Sequence, residues 1–488
     1  MRTLMVPYFF RSNLSRVLAV LCTVGSFAAS ADAQVKGDRV VVTANFDTKI
    51  KAEVVGKVYE GSVHTVTETN GKWCELSDVP GWLPLQYTMD MGMALRHFTK
   101  RVKENPRDSI GFAHRGVILY ELERYDEAFK DLTQSLSLNR ENPGTWLNRG
   151  MVAKAQGKYQ NAIRDFGEAI RLNPKQMQNA YFNTGLVFYS VNDFKQAVEN
   201  YDKAIEMYDK HALWFVSRGS AKLALDDLAG AKADYEWAFK INGNLADAQV
   251  GLSNVALVED DLETCFKHAE LAVEAQSKNA MALNARGWVL YKMGKVDDAI
   301  FDLSRAVRYA PRLSIAYGNR GVCYVHKNEF DKAIADHTQH IKLDPRSPVA
   351  LSNRGVAWFG KGDFAKAKAD FEAAEKLAPD LDESLNGYAW FLATCPEEDY
   401  RDGALAVKKA KQACEISEHK FWYHLDTLAT AHAELKEFDE AVKWAKQALE
   451  VAPQDKKKIC QEQLARFERK EQFRSQVGKN AEQAIIGS

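Results

Sequence analysis

The sequence predicts a mainly α protein, an α-solenoid of about ten helix-turn-helix units preceded by a small β-barrel. Three observations carry this prediction: a 34-residue recurrence over most of the chain, a β-textured stretch ahead of it, and an apolar, Arg-bearing N-terminus. With 488 residues, 46% hydrophobic and 27% charged, the chain has apolar material for more than one module. Nothing in its composition points to disorder.

Residues 1–33 hold Arg2, Arg11 and Arg16, an apolar run from Val17 to Ala29, and the small-residue triplet Ala31-Asp32-Ala33. This reads as a cleaved secretory signal, with a retained signal anchor as the alternative, although the run is short for a bilayer span. A lipoprotein signal at Cys22 is disfavoured by the bulky Leu21 before it. No later stretch is apolar for long enough to cross a membrane, so the expected location is periplasmic or secreted, or peripheral to the cell envelope. Losing three Arg and one Asp with the signal moves the formal charge from −1 to −3, which gives no support to nucleic-acid binding. Six scattered cysteines would remain, without CxxC spacing, and read as small buried hydrophobes. A disulfide between Cys395 and Cys414 is the open alternative.

Residues 34–90 form the expected barrel. Alternating Val and Thr flank Asn70-Gly71, two residues that tolerate the positive φ of a tight hairpin turn. The run Gly61 to Trp82, with "NGKW" and "PGWLPL", resembles bacterial SH3-like domains. That resemblance implies a peptide-binding or cell-wall-binding module, or a structural adaptor. Trp73 and Trp82 are its candidate aromatic platform, and barrel-core packing is the competing role.

The recurrence follows. Small residues stand at Gly116, Gly150, Gly185, Gly219, Ser253, Gly287, Gly321, Gly355 and Ala389, one repeat apart each time. Twelve residues beyond most of them lies a second small residue, such as Ala128, Ala162, Ala299 or Ala367, and a proline often closes the unit. Two antiparallel helices explain the pattern: numbering each unit from 1, small position 8 meets small position 20 at a close crossing. The pattern resembles the tetratricopeptide repeat family over about residues 109–455, which implies a right-handed solenoid of ten units. Residues 91–108 are the linking helix, the ninth unit has an insertion around "TCPEEDYRDG", residues 456–474 form a capping helix, and 475–488 a disordered tail.

Six units also keep an Arg sixteen residues before an Asp: Arg115 with Asp131, Arg149 with Asp165, Arg218 with Asp234, Arg286 with Asp302, Arg320 with Asp336, and Arg354 with Asp370. In the other units both charges are missing, so the spacing predicts structural salt bridges between the two helices of a unit. A ladder of ligand-binding arginines is the alternative, which the matched acids would neutralise.

Signatures of catalysis are absent: the chain has no phosphate-binding glycine loop, GxSxG or HExxH. Cys323, His326, His337 and His340 are the best metal candidates, but their positions spread along the helix pair, so neither metal nor cofactor is expected. Tetratricopeptide relatives bind partners in a concave groove lined by their first helices. The resemblance carries that role to positions 5, 9 and 12, which here include Leu147 and the partner-binding candidates Tyr120, Met151, Phe182, Tyr189, Trp288, Tyr291, Phe359 and Trp390. Packing between repeats is the competing use of the same side chains. The expected function is therefore a noncatalytic scaffold for protein or peptide partners, with peptidoglycan binding through the SH3-like domain as the alternative.

Overall fold

The structure, a computed structural model, describes residues 39–477 apart from 43–45, 51–52, 59–61, 71–72, 77–81 and 85–87. The expected signal, residues 1–33, and residues 478–488 of the expected tail lie outside the described residues. The chain divides into two compact units, one ending at Asp227 and one beginning at Leu228.

Seven strands come first: β1 (Arg39–Val42), β2 (Phe46–Ile50), β3 (Glu53–Val58), β4 (Val63–Asn70), β5 (Trp73–Leu76), β6 (Trp82–Pro84) and β7 (Thr88–Asp90). They form an antiparallel sheet in the order β3-β2-β6-β5-β4-β1-β7, and among the described residues no ladder joins β3 to β7. The β4–β5 hairpin sits one residue later than expected. Asn70, expected in the turn, instead ends β4 and pairs with Trp73. β1 lies between β4 and β7, and its Val40, Val41 and Val42 are fully buried. Val41 packs with Ala94, Phe98 and Ile118, so the sheet and the first helices share one apolar cluster.

Asp90 ends β7 and caps the next helix, α1 (Met91–Glu104), by accepting from Met93 N–H at 2.8 Å. Between Ser109 and Val451, twenty helices then follow as ten consecutive pairs. All but the ninth have a first helix, a tight turn and a second helix, as the 34-residue recurrence requires. The division between the two compact units falls in the turn of the fourth pair, after the helix Ala212–Ala224 and before the helix Leu228–Ile241. A last helix spans Lys457–Glu468, so it stops short of the expected 474, and Phe467 from it packs onto the tenth pair.

The turns share one chemistry. In the sixth pair, Gly294 at φ 76° ends the helix Ala280–Lys292, its N–H donating to Tyr291 O and the Lys295 N–H to Leu290 O, both at 2.9 Å. Those two bonds take up carbonyls that the helix end would leave unpaired. Asn192, Asp226, Asp260 and Asn328 take the same left-handed conformation in other pairs, as residues with short polar side chains can. The ninth pair departs from this, because its first helix, Asp382–Thr394, runs into the insertion, and Cys395 there is extended at φ −52° and ψ 131°.

The crossing is closer than small-on-small packing. A methyl group added at Gly287 would stand 2.7 Å from the Leu303 side chain and 3.2 Å from the Ala299 carbonyl oxygen. Position 8 therefore receives the large side chain of position 24 as well as the backbone of position 20. Gly150 under Phe166 and Gly185 under Tyr201 repeat the arrangement, with 2.5 Å as the corresponding approach in each.

Candidate functional site

The recurring charges lie on the close-packed helices just described. Arg115, Arg149, Arg286, Arg320 and Arg354 each give Nε and Nη2 to both carboxylate oxygens of the Asp sixteen residues on, over 2.6–3.0 Å. Such forked pairing fixes direction as well as distance. The five carboxylates, of Asp131, Asp165, Asp302, Asp336 and Asp370, are buried, while the arginines keep some exposure. The pair Arg218 and Asp234 belongs to different compact units; within its own unit Arg218 reaches Asp202 at 2.7 Å.

That contact reveals a second use of the arginine. Arg149 also donates to Thr133 Oγ1, Arg320 to Ser304 Oγ and Arg354 to Thr338 Oγ1, at 3.2–3.3 Å. Each acceptor lies sixteen residues earlier, on the second helix of the preceding pair. The guanidinium therefore joins two neighbouring second helices, while in several pairs it also stacks on its own position-4 ring, as Arg149 does on Trp146 at 4.8 Å. Where the charges are missing, other contacts take the place. Lys409 lies 4.8 Å above the Tyr388 ring and meets Glu375 at 2.6 Å, and His268 shares a hydrogen bond with Gln249 at 2.7 Å.

The partner-binding candidates divide into two sets. Tyr120, Met151, Phe182 and Trp288 are partly exposed, as is Leu147. Tyr189, Tyr291, Phe359 and Trp390 are buried. Phe182 stacks on Trp214 at 5.4 Å, and Trp288 on Tyr291 at 5.2 Å. Phe359 packs edge-on against Phe391 at 5.3 Å. Trp390 is covered by Phe473, from the segment after the last helix, at 5.4 Å between ring centroids. Residues 474 and 475, expected to end a helix and open a disordered tail, instead bond to the first helices of the ninth and tenth pairs. Sequence reasoning missed Phe473 because the stretch "KEQFRS" looks like the exposed end of a charged helix. Its aromatic residue was the available signal.

Trp73 and Trp82 lie on adjacent strands, Trp73 opposite Pro84 and Trp82 opposite Glu75.

His337 and His340 are buried in the helix Phe330–Leu343, and each faces a glycine: His337 lies on Gly321 and His340 on Gly318. Burial pushes the His337 imidazole down to about 3 and that of His340 down to about 4. His326, by contrast, faces the Tyr291 ring at 5.9 Å on the preceding pair. Among the described residues no group of three or more His, Cys, Asp or Glu side chains could hold a metal ion. All six described cysteines are buried and free, including Cys395 and Cys414. No helix among the described residues is long and apolar enough to cross a membrane.

Two measurements test these assignments. Arg149→Ala leaves the buried Asp165 carboxylate with only the exposed Arg164, 3.9 Å away, and is expected to cost about 3 to 5 kcal/mol in denaturant unfolding. Arg286→Ala should cost less, because Arg305 also reaches Asp302, at 3.3 Å. A double-mutant cycle on Arg149 and Asp165 should return a coupling of about 1 to 2 kcal/mol, and zero coupling would remove the brace. The second test concerns pH. His337 stays neutral in the fold while the unfolded chain takes up a proton near 6.5, so its contribution is complete above pH 6.5 and declines as pH falls toward 3. Asp426, raised to about 7 by burial, acts in the opposite direction, so the histidine is read as a difference between variants. His337→Phe, which copies Phe371 of the next pair, should gain thermal stability relative to the unsubstituted chain between pH 7 and pH 5. Parallel pH profiles would show that the imidazole is not held neutral.

Family models of the tetratricopeptide repeat match residues 112–142, 143–176, 178–211, 314–347, 348–381 and 423–452. The chain is 30% identical over 104 residues to tetratricopeptide repeat protein 6 of Homo sapiens, covering 21% of this chain and 20% of that protein. It is 24% identical over 249 residues to DnaJ homolog subfamily C member 3 of Bos taurus, covering 45% and 48%. The chain thus spans a fifth to a half of the length of these relatives. A solved tetratricopeptide repeat protein from Parabacteroides merdae aligns with a TM-score of 0.45 and 14% identity, over 55% of this chain and 99% of that one. Six of the ten helix pairs thus match tetratricopeptide repeat models, and arrays of that repeat typically serve as protein-interaction scaffolds.

Proposed function

We propose that this chain is a noncatalytic scaffold of the bacterial cell envelope, exported by its N-terminal segment, which captures peptide or protein partners in the groove formed by its first helices. The observation that supports this best is the row Tyr120, Leu147, Met151 and Phe182. These apolar and aromatic side chains come from the first helices of three consecutive pairs and remain partly exposed, although the same helices bury Ile118, Val152 and Val187 fully. Partly exposed apolar side chains of that kind suit the apolar side chains of a bound segment. No cofactor is needed for such capture.

The test is site-specific photocrosslinking in the full chain. A benzophenone side chain in place of Met151 is expected to give discrete adducts with partner proteins in native envelope extracts, whereas one at the exposed Lys130 is not. Equal labelling at the two positions would count against the groove.

The second reading is adhesion to peptidoglycan through an SH3-like N-terminal module. Its support is the β5–β6 register, which sets Trp73 and Trp82 two positions apart across one ladder. Under this reading the full chain co-sediments with purified peptidoglycan, and Trp73→Ala or Trp82→Ala reduces the bound fraction severalfold. Sedimentation that ignores both substitutions would retire it.

A further inference from the structure

We propose that the surface beneath residues 471–477 is a recognition site for an extended segment of a partner protein in which a phenylalanine, a basic residue and a hydroxyl residue follow one another, and that the chain's own tail occupies it in cis. This rests on the first helices being the partner surface, and it specifies where on them and for what chemistry.

The segment has the form of a bound peptide. After the helix Lys457–Glu468 the backbone turns at Lys470, φ 58°, and residues 471–476 have neither helix nor strand. They nevertheless sit on the ends of three successive first helices. Arg474 meets the Glu434 carboxylate at 2.6 Å, and Gln472 Nε2 donates to the Glu434 carbonyl at 2.9 Å. Ser475 donates its backbone N–H to the Thr394 carbonyl and shares a hydrogen bond with Thr394 Oγ1, both at 2.9 Å. Val477 lies against Gly362, which caps the helix Pro348–Lys361. Phe473 is clasped between the Trp390 indole and the Arg466 guanidinium, which stands 4.8 Å from its ring.

The site also has parts of its own. The insertion in the ninth pair supplies Arg401, which holds the other oxygen of Glu434 at 2.9 Å and binds the carbonyls of Cys395 and Pro396 at 3.0 Å. The carboxylate is thereby oriented toward a basic residue of the occupant. Phe473 covers the Trp390 ring, and the buried Nε1 of that indole has no hydrogen-bond partner among the described residues. The cis segment leaves that donor unused, which a pure cap would have no reason to do. A partner segment that brings an acceptor to the indole gains what the tail lacks, and against that gain stands the high effective concentration of a tethered tail.

The probe is a synthetic peptide of residues 469–477, RKEQFRSQV. A chain ending at Lys470, checked for helical content by circular dichroism, should bind it, and the intact chain should bind it at least tenfold more weakly. A peptide with Phe473→Ala should lose binding, and Glu434→Gln in the shortened chain should weaken it severalfold. The full chain carrying Phe473→Ala gives the same reading without shortening and should also bind the unsubstituted peptide. Equal binding to a scrambled peptide, or equal affinity of intact and shortened chains, would overturn the proposal. A dimer of the intact chain that shortening abolishes would assign the surface to a second copy, and would overturn it as well. Crosslinking at Met151, in the other compact unit, reads the broader function separately.

Discussion

The closeness of two helices within a pair is the constraint on which the other contacts depend. At Gly287 there is no room for a single added carbon against Leu303 and the Ala299 carbonyl. Because position 8 has no side chain, the second helix can lower its position-24 residue onto the backbone of the first. That approach brings Arg286 and Asp302 within forked reach, and the tight turn at Gly294 follows from the same short separation. A wider crossing would lengthen the ion pairs, expose the carboxylates and leave position 24 without its seat.

Much of this was legible because helix geometry converts spacing into contact. The sixteen-residue step from Arg to Asp stays within one hairpin, where two helices and a turn fix which residues come level. The backward step from Arg149 to Thr133 was less visible, since Thr, Ser and Asp share that position and no single residue type recurs. Level pairing found position 20, whose backbone does meet the small residue, but it did not find the long side chain at position 24, which leans back along its helix and also covers the glycine. The tail was beyond such reasoning altogether. Ser475 and Thr394 are 81 residues apart, and no repeat period relates an irregular segment to a helix end.

Equivalent positions do not remain equivalent in the fold. Position 9 is partly exposed at Met151 and at Trp288, while Trp390, at the same place in its repeat, lies under Phe473. The ninth pair differs further in its turn: without a left-handed residue, the chain runs on to Tyr400, whose ring packs on Phe364 and Phe391. One irregular repeat thus changes both what is covered and which side chains frame the cover.

The cysteines carry a consequence of a different sort. All six described thiols are buried, and burial raises Cys323, Cys414 and Cys460 to about 12 and Cys74 and Cys395 to about 11. Exchange requires a thiolate that can reach a disulfide, and neither the charge state nor the access is provided here. At the six described cysteines the fold therefore rests on packing and not on a disulfide.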